Sequence, residues 1–193
     1  MEYEHFYPEL GTHFPGYPWM SFNRALNISA RTLCRLGLTW RVELSPINCV
    51  PGKSEYALVA PYDSYIVQLL DANGMSPTTP MQLDHIASRW RERTGRPTHY
   101  YPLPDNAIRV YPVPTEAGQG PVYLRAAVAP TPEATELDDA YALAHERLLL
   151  HGAMANLGRG NWAEFEEACH RVRSHSTDER QIGVARAVRY GGV

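Results

Sequence analysis

The stretch from residue 138 to residue 175 leaves this chain few ways to fold. It holds two amphipathic helical patterns joined by a connection too short for anything but a reversal. The first starts at Asp138-Asp139 and carries Tyr141, Ala144, Leu148, Gly152 and Ala155 along one face. The second carries Trp162, Phe165, Cys169 and Val172, and the turn between them is Gly158-Arg159-Gly160. The pattern predicts a tight antiparallel helical hairpin. Small side chains at Ala144, Gly152 and Ala155 let helices approach closely, while Leu148, Trp162 and Phe165 supply bulk. Asn161 with Glu164 three residues on resembles a capping box. Glu166 and Glu167 sit early in the second pattern, and Arg171, Arg173 and His175 sit late, the order that complements a helix dipole.

After this hairpin, residues 176–193 have no core left to join. They read as a free C-terminal arm. Over the C-terminal segment from residue 171, Arg171, Arg173, Arg180, Arg186 and Arg189 outweigh Asp178 and Glu179, and Val184, Ala187, Val188 and Tyr190 add modest apolar content. An acidic protein groove, DNA phosphates, or solvent alone would each suit such an arm.

Upstream, residues 1–19 are rich in Tyr, Phe, Gly and Pro, including Pro8, Pro15 and Pro18. The prolines predict an extended N-terminal leader. Residues 20–38 predict a helix with Ser21 as its N-cap, an apolar stripe through Phe22, Leu26, Ala30 and Leu33, and Gly37 at its end. From residue 40 to 130 the period changes to two. Trp40, Val42 and Leu44 alternate with Arg41 and Glu43. Further strands are expected at 56–60, 65–70, 98–101, 108–111 and 122–128, with turns at Asn73-Gly74 and 102–106 and a short helix over 84–93. The prolines from Pro46 to Pro114 imply short strands and many edges. The expected fold is α+β: a small helical bundle from residues 20–39 and 131–175, with an antiparallel β-domain inserted at 40–130 and extended arms at both ends.

Composition narrows function more than fold. A net charge of −3 over 193 residues leaves no global field for nucleic acid. Lys53 is the lone lysine among 18 basic residues. That bias fits a GC-rich genome or a preference for forked guanidinium contacts. Cys34, Cys49 and Cys169 are far apart and form no CxxC pair, which argues against a disulfide framework or a structural zinc site. Residues 1–10 lack the apolar run of a signal peptide, and no stretch approaches the roughly 18 apolar residues of a membrane span.

Candidate chemistry is sparse. His145-Glu146 is followed by Leu149 where a zinc protease motif needs histidine, and His145 and His151 fall on opposite helix faces. Asp138 and Asp139 are a carboxylate pair, but acids favour helix N-termini. Gly158-Arg159-Gly160 and Gly118-Gln119-Gly120 fit neither phosphate-binding pattern. No serine sits in a GxSxG context. No catalytic residue, metal ligand or cofactor is expected.

Two stretches carry a resemblance. One is Trp90-Arg91-Glu92-Arg93-Thr94-Gly95-Arg96-Pro97, then Tyr100, then Ile108 to Pro114. The other is Tyr141 to Leu157, with His151-Gly152-Ala153 near its end, followed by Trp162. Together, over residues 20–175, they resemble the head-to-tail adaptor (connector) proteins of tailed bacteriophages. The resemblance implies a ring of about twelve copies beneath the portal, a downstream tail or nozzle protein, and a lumen that passes DNA without reading its sequence. It also implies a C-terminal arm that docks on the portal, for which Arg180, Arg186, Arg189 and Tyr190 are the expected contacts, and neither catalysis nor cofactor. A head-completion stopper, a tail-tube or baseplate component, and an enzyme with an unfamiliar carboxylate site are the rival readings.

Overall fold

The first surprise is at the start of the chain. Residues Tyr3–Phe6 form a 3-10 turn and Tyr7–His13 form helix α1, where prolines predicted an extended leader. Pro8 lies in the first turn of α1, where its missing N–H would be unpaired anyway. Tyr3, Phe6 and Leu10 are buried, so their aromatic and aliphatic surface joins the core. The structure, a computed structural model, describes residues 1–115 and 121–173.

The remaining elements follow in order. Helix α2 is Trp19–Gly37; strands β1, β2, β3 and β4 are Arg41–Asn48, Glu55–Ala57, Ser64–Ala72 and Ser76–Pro77. Helix α3 is Pro80–Ile86, and a 3-10 turn spans Trp90–Glu92. Strands β5 to β9 are Thr94–Gly95, His99–Leu103, Ala107–Tyr111, Val113–Pro114 and Pro121–Pro130. Helices α4 and α5 are Asp139–Ala144 and Glu146–Asn156, and helix α6 covers 162–173. The fold is α+β, as expected. It divides into two compact units: Met1–Trp40 with the described residues from Ala129 on, and Arg41–Val128.

In the first unit α2 is the central element. Its buried stripe holds Phe22, Leu26, Ala30 and Leu33, and it packs on α5. It starts two residues before the expected Ser21 cap. Extended Pro18 (ψ 142°) takes the cap position and makes no side-chain hydrogen bond. Left-handed Leu38 (φ 49°) caps its other end, donating its N–H to the Cys34 carbonyl at 3.0 Å. Gly37 is the last helical residue instead. A Cβ there would lie 2.9 Å from Thr39 Cγ2 and 3.2 Å from the Cys169 carbonyl, so the glycine admits α6.

The 138–156 segment is not one helix. His145 (φ −119°, ψ 13°) interrupts it, and the face that is buried shifts. Tyr141, Ala142, Leu149, Leu150, Gly152 and Ala153 are buried, whereas Ala144 is exposed and Leu148 and Ala155 are half-buried. The turn after α5 is a Schellman motif. Gly158 (φ 92°) donates to the Ala155 carbonyl and Arg159 donates to the Met154 carbonyl. Asn161 Oδ1 then accepts from the Ala163 N–H at 3.0 Å and caps α6. Glu164 reaches back to the Asn161 side chain rather than to its backbone.

In the second unit two sheets share one core. Their orders are β1-β9-β3 and β2-β7-β6-β4, and β5-β8 is a short parallel pair. β1 and β9 run antiparallel from Arg41↔Ala127 to Asn48↔Pro121, with an irregularity between Leu44 and Ile47. The β6–β7 hairpin turns through a three-residue loop, Pro104 to Asn106, in which Asp105 and Asn106 both have positive φ. Tyr100, Ile108 and Val110 point into the core with Leu44, Leu124 and Ala126. Their neighbours Tyr101 and Tyr111 point to the other face, where Leu83 and Trp90 cover them. The helix expected over 84–93 is therefore α3, displaced towards the N-terminus, plus a 3-10 turn. Thr79 sets its start: its hydroxyl accepts from the Gln82 N–H, and the Gln82 side chain accepts from the Thr79 N–H.

Candidate assembly surfaces

The two segments that carry the adaptor resemblance are structural junctions. Thr94-Gly95 of β5 pairs in parallel with Val113-Pro114 of β8, so the two halves of the first segment lie against each other. Trp90 is 2% exposed, meets Tyr101 and Tyr111 edge-on at 5.9 and 6.1 Å, and donates to Asp84 Oδ1 at 2.7 Å. Arg91 and Arg109 lie over its ring at 4.4 and 5.3 Å.

In the second segment, Gly152 is the point of closest approach. A Cβ there would lie 2.6 Å from Phe165 Cζ and 2.8 Å from Ser29 Oγ. Ser29 satisfies its hydroxyl on the Ala25 carbonyl at 2.7 Å, which keeps the α2 face compact. Phe165 is fully buried, with His151 and Trp162 against its ring at 6.1 and 5.0 Å. Trp162 is half-buried and donates to Glu166 Oε1 at 2.9 Å. Ala155 packs under the turn at Gly160, and Ala144 faces outward. Arg180, Arg186, Arg189 and Tyr190 lie outside the described residues.

The titratable groups are arranged for packing. Burial pushes the Cys34 and Cys169 thiols up to about 12, and it raises the Cys49 thiol too. Burial thus favours the protonated thiol at all three positions. Burial lowers the His145 pKa, keeping a neutral ring 4.8 Å from Tyr141. Tyr141 shares its hydroxyl with Cys34 and Thr39 and stacks on Trp40. Asp138 uses its carboxylate to cap α4 through the Tyr141 N–H at 2.9 Å. Among the described residues, no three His, Cys, Asp or Glu side chains are grouped to hold a metal ion.

One element escaped sequence reading. Asn27 sits on the buried face of α2, 5% exposed, and its amide donates to the carbonyls of Thr131 and Ala134 at 2.9 and 3.0 Å. It thereby fixes the segment that leads from β9 into α4, residues 131–137. A polar residue on an apolar stripe was the available signal. Asn27→Ala is expected to cost about 1–3 kcal/mol in urea unfolding, because two carbonyls lose their donor. Beside it runs a groove of ≈380 Å³ bordered by Asn23, Arg24, Arg31 and Glu133. The Arg31 Nε is buried there without a hydrogen-bond partner.

Outward-facing apolar side chains complete the inventory. Tyr17, Trp19 and Met20 are exposed around the start of α2, and Val59 and Tyr62 before β3. Such clusters are the ordinary raw material of protein interfaces. No helix among the described residues is long and apolar enough to cross a membrane.

These features define a class: an α+β protein whose buried polar groups serve packing and whose surface exposes large apolar side chains. The chain belongs to the SU10 adaptor protein family, whose model matches residues 9–188. That span takes in α1 and reaches into the arm, beyond the residues on which the resemblance was first read. No match is found among curated proteins. The chain is a phage structural adaptor and thus a component of the virion; its family is not an enzyme family.

Proposed function

We propose that this protein is a head-to-tail adaptor. About twelve copies form a ring between the portal and a downstream tail or nozzle protein, and the genome passes through the lumen. The observation that carries this reading is the family match over residues 9–188, nearly the whole chain. The exposed Tyr17, Trp19, Met20, Val59 and Tyr62 support it, since a ring covers such surface with the next copy. A ring of identical subunits uses heterologous contacts that close by rotation. Repeated around a ring, a weak contact to a partner ring gains avidity.

The arm is the proposed link to the portal, through Arg180, Arg186, Arg189 and Tyr190. Ordering an arm on docking costs entropy only when the partner is present. Negative-stain imaging of the purified protein, alone and with its portal, tests the reading: rings seated on the portal are expected. A protein that stays monomeric and ignores the portal would overturn it. Deleting residues 177–193 should abolish portal binding while circular dichroism and melting of the body stay unchanged. Undiminished binding by the truncated protein would sink the arm assignment.

A further inference from the structure

Among the described residues, no strand fills the position between β3 and the distal half of β6 in the second unit. β4 lies beside β6 in parallel, pairing Ser76↔His99 and Pro77↔Tyr100. The Thr78 N–H extends the contact to the Tyr100 carbonyl at 2.9 Å. Pro80 then turns the chain away into α3. Past that point, among the described residues, no strand lies between β3 and the distal half of β6.

What remains is a groove of ≈350 Å³. Four consecutive residues of β3, Ile66 to Leu69, line it. Successive strand residues point to opposite faces, so a run of four marks the backbone edge of the strand. Pro102 and Leu103 of β6 face them across the gap, over a floor of buried Leu58 and Tyr100. An edge strand beside an apolar trough is the geometry of β-strand addition.

The ends of the groove differ. The Ala72↔Met75 bridge is antiparallel, and β4 is parallel to β6, so β3 runs antiparallel to β6. The start of β3 and the end of β6 therefore share one end. Asp63 precedes Ser64 there, and Asp105 follows Leu103 in the exposed hairpin turn. The mouth at that end thus has one carboxylate directly before β3 and one two residues after β6.

We propose that this groove receives residues 181–186 of a second copy as an added β-strand. The proposal rests on the ring reading and names one contact that joins neighbours. The segment is Gln181-Ile182-Gly183-Val184-Ala185-Arg186, with branched apolar residues and small residues in alternation. Ile182 and Val184 face the floor, and Gly183 and Ala185 face outward. Laid parallel to β6, the strand brings Arg186 to the mouth formed by Asp63 and Asp105. Arg186 is then taken by the neighbouring copy rather than by the portal, and Arg189 and Tyr190 lie beyond it, available to the portal. The lengths agree: a strand of six residues spans about 20 Å, as do residues 64–69. The residues between 173 and 181 can bridge up to about 26 Å to the next copy.

Hydrogen exchange on assembled rings tests this, with native mass spectrometry reporting ring formation on the same samples. Amides of residues 65–69 are expected to exchange about tenfold or more slowly in full-length rings than in rings lacking 177–193. Val184→Asp in the full chain should give the same loss of protection. Isotope-labelled copies without the arm, co-assembled with excess full-length copies, should regain protection from a neighbour's arm. Equal exchange with and without the arm in intact rings would overturn the proposal and leave the ring reading standing. Failure of the arm-less copies to regain protection would assign the groove to the chain's own arm and overturn it too. Absence of rings from the full-length chain would overturn both, whereas rings that form only with the arm present would support the contact.

Discussion

Phe165→Ala is expected to lower the unfolding free energy by about 3–5 kcal/mol, the range for emptying a fully buried aromatic site. The side chain is fully buried where α6 meets Gly152 of α5 and Ser29 of α2. Its loss leaves a cavity that three helices cannot close without moving, because Gly152 has no side chain to fill it. Urea unfolding followed by circular dichroism reads the effect. The converse change, Gly152→Ala, sets two terms against each other. Alanine gains about 1 kcal/mol of helix propensity, and overpacking against the Phe165 ring costs about 1–3 kcal/mol. With the added carbon 2.6 Å from Phe165 Cζ, overpacking prevails and the variant is destabilised. Gly11→Ala in α1 is the matched control: nothing lies within 4 Å of its Cβ, so the propensity gain stands alone. Equal responses of the two glycines would refute the junction as drawn.

Trp90→Ala should be as damaging, again about 3–5 kcal/mol, but through the second unit. The indole spaces Leu83, Tyr101 and Tyr111 and holds Asp84 by its N–H at 2.7 Å. Arg109, which lies over the ring, is also 3.4 Å from Glu55 of β2, so the residue ties the outer face of the sheet to its edge strand. Trp90→Phe keeps the aromatic contact and forfeits the hydrogen bond, so it should lose about 1 kcal/mol. Tryptophan fluorescence is ambiguous with four tryptophans in the chain, so near-UV circular dichroism and denaturant midpoints are the readouts. A phenylalanine variant as unstable as the alanine variant would show that the Asp84 bond, not ring packing, dominates.

Neither side chain announces its weight in the sequence. Phe165 was legible as a helix-facing residue because it belongs to a stripe with Trp162 and Cys169. Trp90 was legible as part of a recurring motif, but not as the cover of a sheet face. Its partners Tyr101 and Tyr111 lie eleven and twenty-one residues away on separate strands, and only the pairing of β6 with β7 puts them under one ring.

The errors have equally local causes. Pro8 reads as a helix breaker by composition, yet at the first turn of α1 a missing N–H costs nothing. His145 carries no breaking signal, so 138–156 read as one helix. α4 buries Tyr141, whose ring and hydroxyl are held by Trp40, Thr39 and Cys34, and Ala144 three residues on is exposed. Asn27 was overlooked because its partners are backbone carbonyls more than a hundred residues away.

Periodicity and turn chemistry alone sufficed for the α+β class, the β-rich middle, the hairpin turn at Gly158 and the cap at Asn161. Each of these is decided by neighbours within a few residues, where backbone sterics and local hydrogen bonds act. The fold of the first thirteen residues, the break at His145, the three-way contact at Gly152 and the groove between β3 and β6 came from the tertiary structure. All four depend on which distant surfaces meet. That choice is made by burial and close packing, which no local pattern encodes.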